Sequence, residues 1–255
     1  QNRRHKYGRT FLMKITVLTL FPEMYEGFLN SSIIRRIIEK KLCEVKVVDI
    51  RNYSKDKHHH VDDTPYGGMA GMLMKVDVVH EALLNNKSDN SYVMLTSPKA
   101  RPLKQEDLIR FSTMDDIVFI CGHYEGIDSR IEKYVDQNIS IGDYILTGGE
   151  LASMVVMDGI MRLLDEGISS DSLKEESYNS SLLEYPQYTR PVEYDGQRVP
   201  DVLMSGNHEK IRQYNLKESL RETLKYRPDL LKNKELNKEE QKFQKKKKNE
   251  INSCL

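Results

Sequence analysis

Short β-branched runs alternate with stretches of helical spacing along most of this chain, and that alternation admits few folds. Lys14 to Phe21 reads as a strand that Pro22 breaks, and Glu23 to Lys41 follows with helical spacing through Met24, Phe28, Ile33, Ile34, Ile37 and Ile38. Val45 to Ile50 reads as a second strand, and a helix is expected near Val76 to Leu84. Two more apolar runs, Tyr92 to Thr96 and Ile117 to Cys121, bracket a helical segment over Lys104 to Phe111, and Gly149 to Leu164 is the most apolar helix. The pattern predicts an α/β fold with a parallel sheet covered on both faces. Ligands then belong at the carboxyl ends of the strands. There the chain runs into loops rich in Gly, Pro or Ser: Thr96-Ser97-Pro98, Gly122-His123-Tyr124-Glu125-Gly126, and Ile141-Gly142-Asp143-Tyr144 leading to Thr147-Gly148-Gly149-Glu150.

At 255 residues the chain can bury a real core, and 38% hydrophobic residues is too many for a disordered polymer. No stretch reaches the ~18 uninterrupted apolar residues of a membrane span, so a soluble protein is expected, with no membrane partner. Cys43, Cys121 and Cys254 are odd in number and far apart, so they read as free thiols of a reducing, cytoplasmic compartment. The formal net charge of zero hides an asymmetry. Residues 1–12 hold four basic and no acidic side chains and residues 225–255 ten basic and five acidic, so 13–224 carries a net −9. Binding of a polyanion must then use local patches.

The texture changes after the apolar helix. Glu166 to Asn179 is rich in Ser and acidic residues and reads as a linker, and from Gly206 onward the spacing is helical through Ile211, Leu216, Leu220 and Leu224, with Pro228 interrupting. The expected organisation is leader or cloning residues over 1–12, a cofactor-binding domain over 13–165, a flexible linker over 166–180, a small helical domain over 181–232 and a lysine-rich tail over 233–255. Three common signatures are missing: the G-x-x-x-x-G-K-[ST] phosphate loop, the G-x-G-x-x-G turn and the H-E-x-x-H metal helix. The triple His58-His59-His60 sits in a polar loop beside Lys55 and Lys57, where adjacent rings cannot all face one ion, so no metal site is assigned. Taken singly, the Gly-rich Pro65 to Met72 reads as a turn, Glu125 and Asp128 as caps of the next helix, and Tyr188 to Pro191 as a loop with a surface arginine.

Together these pieces resemble one family. Pro65 to Met72, Cys121 to Asp128, Ser140 to Glu150, Leu182 to Pro191 and Leu203 to His208 are similar, in order and spacing, to segments of the bacterial tRNA (guanine-N1)-methyltransferases of the SPOUT superfamily, from Met13 to about Leu231. The resemblance implies a trefoil-knotted α/β methyltransferase domain followed by a small helical domain that binds tRNA. It implies methyl transfer from S-adenosylmethionine to N1 of the guanosine 3′-adjacent to the anticodon, in a symmetric homodimer, with Mg²⁺ as a further requirement. The implied cofactor pocket comprises Thr96, Ser97 and Pro98, then Gly122, Tyr124, Glu125 and Gly126, then Ile141, Tyr144, Leu146, Gly148 and Gly149. Glycines let backbone groups approach an adenine edge, and Ile141 and Leu146 offer its ring an apolar wall. Glu125 either positions guanine or favours the sulfonium charge, and both roles stay open.

The chemistry needs a base, because the guanine N1 lone pair attacks only as its proton leaves. A cation by O6 would stabilise the charge that develops there. The resemblance puts Arg162 on the guanine side, with Arg190, Asp158 and His208 as further substrate-binding residues. Counting back thirteen residues from Thr189 puts the family's general-base aspartate at Glu176, one methylene longer than usual, while Asp171 mimics the motif five residues early. Met69 and Ala152 also depart from the pattern, standing where a glycine and a proline are common. A related methyltransferase with another RNA target and an RNA-binding homologue with impaired catalysis are the alternatives.

Overall fold

The computed structural model describes residues 12–68, 70–164 and 182–231. The expected linker, Asp171 and Glu176 within it, Met69 and the lysine-rich tail lie outside the described residues. The chain divides into two compact units, Gln1–Ile168 and Ser169–Leu255.

The first unit is α/β. Strands β1 (Met13–Thr19), β2 (Cys43–Asp49), β5 (Tyr92–Thr96), β6 (Asp116–Ile120) and β7 (Gln137–Ile139) form one sheet in the order β2-β1-β6-β5-β7. Every pairing in it is parallel. Side chains alternate across the pleat, as period 2 demands. Ile15, Val17, Ile117 and Phe119 face one core with Ile34, Ile37, Val156 and Ile160, whereas Leu18, Val118 and Ile120 face another with Val78, Val79, Ala82 and Leu83. Both faces are thus buried, which is why the strands read as nearly continuous apolar runs.

The helices are α1 (Glu26–Leu29), α2 (Ser32–Glu39), α3 (Val76–Asn86), α4 (Gln105–Phe111) and α5 (Glu150–Met161). The single helix expected over Glu23 to Lys41 is divided: a 3₁₀ turn at Pro22–Tyr25 precedes α1, and extended Ser31 followed by Ser32 at φ 51° resets the chain before α2. A two-residue hairpin, β3 (Asp62–Asp63) with β4 (Leu73–Met74), closes the Gly-rich segment into a loop whose Gly67, Gly68 and Gly71 all have positive φ.

In the second unit, β8 (Glu193–Tyr194) and β9 (Gln197–Arg198) form a hairpin around Asp195 and Gly196, both left-handed, as a tight hairpin turn requires. Helix α6 (Asp201–Met204) leads to α7 (His208–Tyr226), where the Asn207 side chain accepts from the Lys210 amide at 3.1 Å. Leu182, Leu220 and Leu231 form its small core with Leu216 and Leu224, and Thr223 Oγ1 accepts from the Leu183 amide at 2.8 Å. No helix among the described residues is long and apolar enough to cross a membrane.

Candidate active site

Because β6, β5 and β7 are neighbours, the loops leaving their carboxyl ends meet, and they enclose a cleft of about 430 Å³ in the first unit. Thr96, Ser97 and Pro98 enter it after β5, and Gly122, Tyr124, Glu125 and Gly126 after β6. Ile141, Tyr144, Leu146, Gly148 and Gly149 enter it after β7. The structure brings all twelve of the pocket residues expected from sequence into one cavity. Its rim is apolar and open: Ile145 is 79% exposed, with Tyr144 and Leu146 also exposed beside it.

The loops hold one another by backbone hydrogen bonds. Ser97 N donates to Ile139 O at 2.8 Å, Leu103 N to Ser140 O at 2.8 Å and Gly149 N to Gly122 O at 2.8 Å, while His123 and Gly148 pair as an antiparallel bridge. The Gly-rich hairpin braces the middle loop from outside, with Glu125 N donating to Met72 O and Met74 N to Gly126 O. A Cβ on Gly71 would lie 2.3 Å from Glu125 Cγ, so that glycine makes room for the Glu125 side chain. Tyr124 takes φ 58° within this loop, a left-handed conformation that a bulky residue rarely adopts and that is commonest at functional sites.

Below the cleft lies a buried polar layer. Glu150, 1% exposed at the start of α5, accepts from Thr19 Oγ1 at 2.7 Å, and its other oxygen is 3.7 Å from His123 Nε2. Tyr25 Oη lies 2.6 Å from Ser153 Oγ and 3.4 Å from Cys121 Sγ, and Ser153 Oγ donates to Glu150 O at 2.8 Å. Burial pushes the Tyr25 hydroxyl well above its ordinary range and the Cys121 thiol up to about 12, so both stay neutral. The layer is structural in character: it carries hydrogen bonds and no titrating nucleophile.

The other expected site residues lie elsewhere. Asp158 is exposed on α5 and Arg162 is the half-buried residue that ends it, its amide donating to Asp158 O at 3.0 Å. Arg190 and His208 are exposed in the second unit, His208 opening α7. Asp171 and Glu176 lie outside the described residues. Asp128 caps the 3₁₀ turn Ser129–Tyr134, accepting from Arg130 N, and pairs with the Arg130 guanidinium at 2.6 Å, which holds its carboxyl below the usual range. Among the triple histidine, His60 pairs with Asp56 and His59 Nδ1 lies 3.2 Å from Arg51 O. Among the described residues no group of three or more His, Cys, Asp or Glu could hold a metal ion. His123 and Glu150 were missed as site residues although both stand inside the sequence motifs. Only their spatial pairing marks them.

Comparison with known proteins agrees across nearly the whole chain. The family profile described as tRNA (Guanine-1)-methyltransferase TrmD matches residues 13–233. A protein of Caldanaerobacter subterraneus subsp. tengcongensis is 50% identical over 241 residues, covering 94% of this chain and 100% of its own. One from Carboxydothermus hydrogenoformans is 49% identical over 231 residues, 89% and 91% of the two chains, and one from Spiroplasma kunkelii 46% over 240 residues, 94% and 90%. Each of the three is named tRNA (guanine-N(1)-)-methyltransferase.

Proposed function

The chain belongs to the tRNA (guanine-1)-methyltransferase family, and from that premise we propose that it methylates N1 of the guanosine 3′-adjacent to the anticodon of tRNA, using S-adenosylmethionine. The observation that carries this reading is the convergence of three carboxyl-end loops on one cleft. The cleft fits the cofactor: its volume of about 430 Å³ lies in the range of small-molecule sites. The exposed Ile145 and Leu146 suit a flat heterocycle, and the exposed carboxylate of Glu125 suits a neighbouring cation. When bound, S-adenosylmethionine would supply an electrophilic methyl group on a sulfonium, the electron pair of the broken sulfur–methyl bond staying on sulfur as a neutral thioether.

The chain's own residues then have to bind the nucleoside and move one proton. Glu176, on spacing from Thr189, is the general base that takes the proton from guanine N1 as that nitrogen's lone pair forms its bond to carbon, with Asp171 the alternative. Arg162 sets its charge against guanine O6, and Asp158, Arg190 and His208 serve substrate binding. These roles follow the residue-by-residue resemblance, supported by the placement of Asp158 and Arg162 together at the end of α5.

The working unit in this reading is a homodimer. Leu151 and Val155, 49% and 50% exposed, stand at i and i+4 on α5, an exposed apolar pair beside Asp158 that a two-fold partner would cover. The contacts of Ser140 with Leu103 and of Gly148 and Gly149 with Gly122 and His123 support a trefoil-knotted path, in which the segment after β7 passes between earlier loops. Mg²⁺ would be held through substrate and water, and the tRNA substrate places the work in the cytoplasm.

The test is methylation of an unmodified tRNA transcript bearing guanosine after the anticodon, read by mass spectrometry and by the reverse-transcription stop that N1-methylguanosine causes. The expected product is one methyl group at that guanosine and none on a transcript with adenosine there. Methylation at another nucleotide refutes the assigned target, and tight binding of cofactor and tRNA with no product refutes catalysis.

A further inference from the structure

Glu150 is a buried carboxylate that the methyl-transfer reading leaves without a task. A carboxylate at the first position of a helix gains from the macrodipole while exposed. Burying it is expensive unless it is paired. Here it is 1% exposed, and its two oxygens are directed to separate elements: Oε1 accepts from Thr19 Oγ1 at the end of β1, at 2.7 Å, and Oε2 lies 3.7 Å from His123 Nε2, in the loop after β6. The second distance is too long for a direct hydrogen bond and keeps the carboxylate and the imidazole edge in polar contact.

His123 in turn lines the cleft. Its ring packs 4.7 Å from Phe21 and 5.8 Å from Tyr124 by centroid, and its backbone bridges Gly148. A Cβ on Gly148 would lie 2.3 Å from Glu150 Oε2 and 2.5 Å from His123 Nε2. The turn is therefore glycine because the Glu150–His123 pair occupies the space behind it. One buried side chain thus ties together the loop after β6 and the turn before α5, two of the segments that line the cleft.

We propose that Glu150, acting through His123, is a positioning residue that holds the 122–126 loop and the Gly148–Gly149 turn in the shape the cofactor binds. This rests on the cleft being the S-adenosylmethionine site. Glu150→Gln keeps the shape and an acceptor for Thr19 while removing the charge, and His123→Gln removes the partner. In cofactor-free protein, amide hydrogen exchange over 121–127 and 147–150 rises at least tenfold in both variants and stays at the wild-type level over α3. By calorimetry each variant binds S-adenosylmethionine at least tenfold more weakly, turnover at saturating cofactor falls less than threefold, and the double variant binds no worse than the weaker single one.

Unchanged exchange and affinity in His123→Gln overturn the proposal even where Glu150→Gln does not fold. Additive losses in the double variant overturn it too, since they mean that the two residues act separately. A wild-type protein that binds no S-adenosylmethionine refutes the functional reading, whereas a wild type that binds it and variants that bind it equally well refute the positioning role alone.

Discussion

Gly149→Ala replaces a hydrogen by a methyl group at the point where all three cleft loops touch, and the structure gives the cost. The new Cβ would sit 2.0 Å from Thr96 Oγ1, 2.9 Å from Cys121 Cα and 3.1 Å from Gly122 N. The backbone at 149 is helical, φ −84° and ψ −6°, which any residue accepts, so the penalty is purely steric. The Thr96 hydroxyl can rotate away only by giving up its 3.2 Å bond to Ile120 O, worth about 0.5–1.5 kcal/mol. Cys121 Cα and Gly122 N belong to the main chain at the end of β6 and have no rotamer to change. Overpacking of that kind costs about 1–3 kcal/mol. The total, about 1.5–4.5 kcal/mol, is a large share of the ~5–15 kcal/mol by which a domain is stable. Relief requires α5 to back away from Gly122, which stretches the 2.8 Å bond from Gly149 N to Gly122 O and spreads the cleft. Urea denaturation should show the lowered midpoint, and calorimetry an S-adenosylmethionine affinity reduced by about tenfold, equivalent to ~1.4 kcal/mol. Gly27→Ala is the control, since nothing lies within 4 Å of its added Cβ, and within α1 it should leave stability unchanged or raise it by up to about 1 kcal/mol. A Gly149→Ala protein indistinguishable from that control in both assays would refute the packing argument.

Glu176→Gln should lower single-turnover methylation by at least about a hundredfold, the usual scale of general-base catalysis, while cofactor affinity stays within twofold; an unaffected rate together with a collapse in Asp171→Asn transfers the role to Asp171. The Cys121 thiol is fully buried and pushed up to about 12, so neutral alkylating reagents should label Cys121 in denatured and not in native protein, read by peptide mass. The Arg101 guanidinium, hydrogen-bonded to the buried Asp107 carboxylate, lowers that group's pKa, so its contribution is present above the unfolded value of about 3.9 and is lost as pH falls through the folded value. Asp107→Asn should therefore cost about 1.5–3 kcal/mol at pH 7 and progressively less as pH falls below about 3.9, by denaturant midpoints, and a cost that does not fall with pH would contradict the linkage. Leu151→Asp on the exposed face of α5 should convert a sedimenting dimer into a monomer and make the denaturation midpoint independent of protein concentration, since the stabilisation supplied by association is gone. A wild type that sediments as a fully active monomer would remove the dimer from the mechanism.

Much of the first unit was legible because its strands are buried on both sides. Tyr92–Thr96 falls where the apolar run predicts it, and β1, β2, β6 and α3 to α5 lie within a few residues of their expected bounds. The misses have local physical causes. β7 is three residues long, Gln137–Ile139, with polar residues at two of its positions, so no periodicity announces it, yet it completes the sheet edge that forms one wall of the cleft. The split between α1 and α2 turns on a single left-handed serine, a conformation that no hydrophobic pattern encodes. The β8–β9 hairpin carries one signal, the Asp195-Gly196 dipeptide, but of its flanking pairs Glu193-Tyr194 and Gln197-Arg198 only Tyr194 is β-prone, so the strands themselves are silent in sequence.

The site shows a deeper limit. Motifs named the three loops, but their meeting depends on β6, β5 and β7 being adjacent, which strand order in space decides and chain order does not. The same gap applies to the glycines, which in the sequence read as room for a ligand. In the structure a Cβ on Gly148 would meet His123 and Glu150, one on Gly149 would meet Thr96 and Cys121, and one on Gly142 would meet the Tyr144 ring. These glycines let neighbouring elements close on one another. Gly148→Val, which from sequence alone would obstruct an adenine site, acts first by displacing the His123–Glu150 pair. Cofactor affinity and loop packing are then the same variable measured two ways, and a substitution at 148 or 149 that weakens one without the other is the observation this account does not survive.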